Sequence, residues 1–180
     1  QIKKIRSDLI CKIIRGNVDT RIKKLNDGLY DGIILSYAGI KSLELEEKIT
    51  EIFSTEKIIP SAGQGIIALQ CRENDSEIIS ILDKINHNET FQRASAERSV
   101  LKVLEGDCET AIGAHAIIEG DKIILEAELF SLDGNQRFYE KKTSNIQNSK
   151  ELGLKVGHIL KKKSKNSYKK WYAYSINKIF

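Results

Sequence analysis

Cys108 is the most chemically pointed residue in the chain. It follows the helix-like run Asn88–Leu104 and the glycine Gly106, and an apolar, strand-like run begins just after it at Ala111. A thiol on a short loop between two rigid elements suits covalent attachment, although a lone cysteine is also a common small core residue. Two basic residues offer a second kind of chemistry. Arg15 and Arg21 flank a strand-to-helix turn, Arg15-Gly16-Asn17. Guanidinium groups pair bidentately with carboxylates, and a helix N-terminus adds backbone N–H groups and a positive dipole end. Gly63-Gln64-Gly65 is a third candidate. Its glycines allow close approach of backbone to a ligand, and equally allow a hinge or tight turn.

Composition narrows the possibilities. With 41% hydrophobic and 30% charged residues, the 180-residue chain reads as globular, with one large domain or two small ones. No apolar run approaches the roughly 18–20 residues that span a bilayer. Three cysteines, Cys11, Cys71 and Cys108, are an odd number without metal-ligand spacing. They argue against a disulfide framework and fit a reducing cytoplasm. The three histidines are scattered, so no metal site is expected. A formal charge of +4 is small for a nucleic-acid binder. Methionine is absent throughout, which suggests a fragment of a longer protein.

The elements that must hold these residues follow from periodicity. Residues 8–14 and 32–37 read as strands, with a helix between them capped by Asn17 or Thr20 and stopped by Gly28. Residues 38–53 read as a helix, 57–59 as a short strand, 61–65 as a turn and 66–70 as a further strand. The alternation over residues 1–59 argues for an α/β layer with parallel pairing. Residues 75–85 and 88–104 read as helices, the second capped by Thr90 or Asn88. Three strands follow, 111–118, 122–132 and 136–143, turning at Glu119-Gly120-Asp121 and Asp133-Gly134-Asn135. A helix at 152–160 closes this antiparallel unit. Cys11 and Cys71 fall in strand patterns and read as core. Glu97 and Arg98 read as an exposed charged pair. The Lys161–Tyr174 segment mixes basic and aromatic residues and reads mainly as a solvated helix end with a packed aromatic tail.

Three segments in register carry a resemblance to a known family. Arg15-Gly16-Asn17 leads to Thr20-Arg21; Pro60 leads to Gly63-Gln64-Gly65; Ala96-Glu97-Arg98 leads to Leu104-Glu105-Gly106-Asp107-Cys108. Together they resemble porphobilinogen deaminase, also called hydroxymethylbilane synthase, from about Asp8 to about Lys142. The resemblance implies a partial periplasmic-binding-protein-like α/β architecture followed by a small α+β domain. It divides the chain into 1–59, part of the second domain; 60–86, a hinge loop and segment of the first; and 87–180, the cofactor-bearing domain with its tail.

The same resemblance implies a transferase of haem and tetrapyrrole biosynthesis. Cys108 would hold a dipyrromethane cofactor through a thioether, with Arg15, Arg21, Gly16 and Asn17 also binding it. Arg15, Arg21, Gln64 and Gly65 would contact substrate. Porphobilinogen would be protonated and lose ammonia. The resulting azafulvene would be attacked by the growing pyrrole chain, and four additions would precede release of hydroxymethylbilane. The catalytic aspartate is expected in an N-terminal domain that this sequence does not contain, so the fragment is expected to be inactive alone. Expected partners are porphobilinogen, the growing chain and that domain, with a monomer when complete and neither nucleic acid nor membrane. Three positions depart from the family pattern: Asp107 stands for a glycine, Ala111 for a proline and Gln70 for a glutamate. Asp107 restricts the backbone, and its charge opposes both thiolate formation and polyanion binding. A non-catalytic remnant that binds pyrroles or a partner is the alternative, and a basic-tail binding module a weaker one.

Overall fold

The computed structural model describes residues 1–106 and 110–169. The chain divides into two compact units, one covering Gln1–Ile58 and the other starting at Ile59. The architecture is mixed α/β.

The second unit is built on a three-stranded antiparallel meander, β1 (Ile112–Glu119), β2 (Lys122–Phe130) and β3 (Arg137–Asn145), in the order β1-β2-β3. Its register pairs Glu119 with Lys122 at the first turn and Phe130 with Arg137 at the second. Gly120 and Gly134 take positive φ at these turns. Both hairpins were legible because turn residues and period-two patterning are local signals. One face of the sheet is apolar: Ala114 and Ala116 on β1 and Ile123, Leu125, Ala127 and Leu129 on β2 are fully buried.

Two helices cover that face. α5 (Asn88–Leu104) buries Ala96, Val100 and Leu104, spaced by four residues. α6 (Ser149–Ser164) buries Leu152, Val156 and Leu160 at the same spacing. These rows are the ridges that a 3.6-residue helix presents to a sheet. The N-cap of α5 is His87, not Thr90 or Asn88: its Nδ1 accepts the Thr90 backbone N–H at 3.3 Å. An imidazole nitrogen there replaces the oxygen of the usual capping residues.

α5 and α6 approach closely because α6 carries glycines where they meet. A Cβ at Gly153 would lie 2.6 Å from the Ser99 Cβ and closer still to the Ala96 carbonyl. One at Gly157 would lie 2.8 Å from the Val103 Cβ.

The other elements depart from the sequence reading. The first unit contains α1 (Ile2–Ile5), α2 (Val18–Asn26), α3 (Tyr37–Lys41) and one 3₁₀ turn, Glu46–Lys48. The expected strands at 8–14, 32–37, 57–59 and 66–70 carry no strand pairing, and the expected helix at 38–53 is reduced to α3 and the 3₁₀ turn. A strand is stabilised by ladder partners, so apolar spacing alone does not create one. Ile10, Ile13 and Ile67 are accordingly exposed. Cys11 is exposed and Cys71 partly so; neither is core. α2 does form as expected and ends in a Schellman motif: Leu29 N–H bonds to the Lys24 carbonyl and Gly28 N–H to the Leu25 carbonyl, with Gly28 at φ 73°. α4 (Ser76–Ile85) is capped by Asp75, whose carboxylate accepts the Ile78 N–H at 3.2 Å. No residue of α4 is buried.

Gly153→Ala should lower the unfolding free energy by about 1–3 kcal/mol, the usual cost of overpacking. Ala→Gly at exposed Ala38 should not show this core penalty. Thermal unfolding of the two variants checks the difference.

Candidate functional site

The polar centre of the second unit is Glu97, which the sequence reading placed on the surface. It is 3% exposed. Its Oε2 accepts the Gly63 N–H at 2.7 Å, and its Oε1 accepts the Ala116 N–H at 2.8 Å. One carboxylate therefore joins α5, β1 and the glycine loop. Arg98, its sequence neighbour, is exposed. The adjacency of the two suggested a solvated pair, but consecutive helical residues point about 100° apart. The signal that could have found Glu97 is its place one residue after Ala96, within the buried face of α5.

Other groups surround this carboxylate. Arg93, one turn earlier on α5, donates from Nε to the Ala116 carbonyl at 2.7 Å. His115 Nδ1 lies 3.8 Å from Glu97 Oε1. Burial raises the Glu97 carboxyl above its ordinary value of 4.5, against the opposing effect of the two N–H donors and Arg93. Burial also lowers the His115 imidazole, and Arg93 lowers it further.

The loop held by Glu97 is the glycine turn. Gly63 and Gly65 have φ of 77° and 79°. Gln64 N–H bonds to the Ser61 carbonyl and Ile66 N–H to the Gly63 carbonyl. Pro60 contributes its carbonyl to Ala114 N–H at 2.9 Å. Just before it, buried Ile59 lies against Gly113, where any Cβ would meet the Ile59 carbonyl at 2.8 Å. Gln64 and Gly65, the expected substrate contacts, are exposed at the tip of this fixed turn.

In the first unit, the turn before α2 is closed by its own basic residues. Arg21 donates from Nε to the Gly16 carbonyl at 2.7 Å, and Lys24 from Nζ to the Arg15 carbonyl at 2.8 Å. Gly16 has φ 121°. Arg15, Gly16 and Asn17 are exposed. Asn17 occupies the N-cap position but its side chain makes no capping bond. Arg15 and Arg21 flank the turn at the N-terminus of α2, and guanidinium groups and helix N-termini are both donors suited to carboxylates. Cys108 and Asp107 lie outside the described residues. Among the described residues no His, Cys, Asp and Glu group could hold a metal ion.

Residues 1–80 match the model of the porphobilinogen deaminase dipyromethane cofactor binding domain. Residues 91–162 match that of the porphobilinogen deaminase C-terminal domain. The chain belongs to the porphobilinogen deaminase family. A porphobilinogen deaminase of Desulforamulus reducens is 39% identical over 160 residues, which cover 89% of this chain and 52% of the relative. The chain thus spans about half the length of that relative.

The family match places the Arg15–Arg21 turn in the segment named for cofactor binding, and Cys108 and Glu97 in the C-terminal segment.

Glu97→Gln should cost about 1–3 kcal/mol, because an amide keeps one acceptor oxygen where two N–H groups need acceptors. The pH dependence should also change. A carboxyl raised in the folded state contributes stability that is fully present below 4.5 and is lost as pH rises through the folded value. The gap between wild type and variant should therefore be widest at acid pH and narrow toward neutrality. Denaturant unfolding from about pH 5 to about pH 8 reads this directly.

Proposed function

We propose that this chain is the C-terminal half of a hydroxymethylbilane synthase, with Cys108 as the thioether anchor of a dipyrromethane cofactor. The observation that carries the reading is the Arg15–Arg21 turn, with two guanidinium groups and a helix N-terminus, in a segment matching a dipyromethane cofactor binding domain. An acidic pyrrole chain requires that chemistry. When bound, the cofactor would supply the terminal pyrrole carbon to which the first porphobilinogen unit is joined.

The chain's own residues would divide the work. Arg15 and Arg21 neutralise acetate and propionate groups, with Gly16 and Asn17 letting backbone N–H groups approach. Gln64 and Gly65 contact substrate from a turn that Glu97 keeps in place. Stabilising the cationic intermediates of deamination calls for a carboxylate, which we assign to an N-terminal domain outside this sequence. The isolated chain is therefore inactive, and porphobilinogen, the growing chain and that domain are its partners. The complete protein acts as a monomer in the cytoplasm; no described helix is long and apolar enough to cross a membrane.

The finer fold follows the same reading. Residues 1–59 form part of a periplasmic-binding-protein-like second domain, 60–86 belong to a hinge and the first domain, and 87–180 form the cofactor-bearing domain. Support comes from exposed apolar side chains outside the C-terminal unit's core: Ile10, Ile13, Ile67 and Ile85 are 63–89% exposed. Faces of this kind are stabilised when a further layer covers them.

Intact mass of the chain purified from cells that make porphobilinogen tests the assignment. A dipyrromethane-sized increment is expected on Cys108 and absent from Cys108→Ser. An unmodified Cys108 would favour an apo fragment or a remnant, to which Asp107 lends its own argument; failure to load after the N-terminal domain is added would decide for the remnant. Porphobilinogen consumption is expected only after the N-terminal domain is added.

A further inference from the structure

The C-terminal end of α5 is held from outside by residues of one short segment. A helix leaves its last four carbonyls without intrahelical partners. Here Gly106 N–H bonds to the Leu101 carbonyl at 3.1 Å, and Glu105 takes the left-handed conformation, φ 53°. The Val103 carbonyl accepts Lys161 Nζ at 3.2 Å. The Leu104 carbonyl accepts the Tyr168 hydroxyl at 3.1 Å. The Glu105 carboxylate pairs with Lys161 at 3.4 Å and with Lys169. These contacts draw Glu105 below the usual carboxylate range, with Lys169 the larger influence.

The segment that supplies them is itself fixed. Tyr168 is 4% exposed and its ring belongs to the core under the sheet. Lys165 and Asn166 take φ of 48° and 64°, turning the chain back at the end of α6. The Leu132 N–H then bonds to the Ser167 carbonyl at 3.0 Å. Residues 161–169 are thus anchored to β2's exit and to the core, and reach across to α5.

We propose that Lys161, Tyr168 and Lys169 form a clamp on the exit of α5 that positions the segment bearing Cys108 for cofactor loading. The inference rests on Cys108 being the attachment residue. Cys108 is three positions after Glu105, a reach of about 11 Å at full extension. The three clamp residues are positioning residues; none is assigned contact with substrate.

The experiment uses the full chain from cells lacking porphobilinogen, as Tyr168→Phe, as the pair Lys161→Met and Lys169→Met, and as a control at exposed Lys150. Tyr168→Phe keeps the buried ring and removes one hydroxyl. Hydrogen exchange of the 101–106 amides and the alkylation rate of each cysteine by iodoacetamide are measured. Both test variants should speed exchange and Cys108 alkylation about fivefold, the effect of one lost hydrogen bond on a local opening. Cys11 and Cys71 should react at wild-type rates, and Lys161→Arg with Lys169→Arg should restore slow exchange. Unchanged exchange and Cys108 alkylation in both variants would overturn the clamp. Equal acceleration of exchange at the β2 amides and at 101–106 would overturn it too, as that reports general unfolding. Loading is then read by mass in porphobilinogen-making cells. Slower loading of the variants than of wild type supports the clamp's role. Loading at the wild-type rate rejects that role. A wild type that never loads even with the N-terminal domain added, while its variants still show the alkylation difference, rejects the deaminase reading while the clamp stands.

Discussion

The fold of the C-terminal unit turns on one buried carboxylate. Glu97 takes the Gly63 N–H and the Ala116 N–H into its two oxygens, so three pieces of chain distant in sequence share one acceptor. A buried charge is costly unless it is paired or well hydrogen-bonded. Burial raises the Glu97 carboxyl, and the two N–H donors and Arg93 oppose that rise. The bond to Gly63 fixes a glycine turn that would otherwise sample many conformations. With Gly63 pinned and Pro60 bonded to Ala114, the turn is held from both the helix and the sheet.

α5 is the element around which this unit is organised. One side lies on the apolar sheet face, another on the glycines of α6, and Glu97 and Arg93 both bond to the backbone of Ala116. The glycines of α6 matter because they let backbone approach backbone. The helix is thereby held along its length, and what remains is its end. A carboxylate at a helix C-terminus faces the negative end of the dipole, which makes Glu105 unfavourable by itself. Lys161 and Lys169 reverse the sign of that local balance.

Much of the C-terminal unit was legible in the sequence because its signals are local. Glycine turns fixed the hairpins, four-residue apolar spacing fixed α5 and α6, and Gly28 fixed the end of α2. The strands expected at 8–14, 32–37, 57–59 and 66–70 were not formed, because pairing depends on partners that periodicity does not reveal. Ile10 and Ile67 have strand-like neighbours in sequence and solvent in space. Glu97 was misread for a related reason: its partners are backbone N–H groups 34 and 19 residues away, and backbone groups leave no mark in side-chain patterns. The turn at Arg15-Gly16-Asn17 was readable as the entry to α2. The use of Arg21 Nε to close that turn was not, since it depends on the φ that Gly16 adopts.

The departure from family pattern at Asp107 bears on this balance of charge. A carboxylate one residue before a thiol opposes its ionisation, which a glycine does not. Two ammonium groups gathered on Glu105 leave the end of α5 with one more positive charge than negative, two residues before Asp107. At a few ångströms a single unit charge is a substantial influence, and at partly buried positions salt screens it less. Lys169 is 17% exposed, so its charge is sheltered in this way.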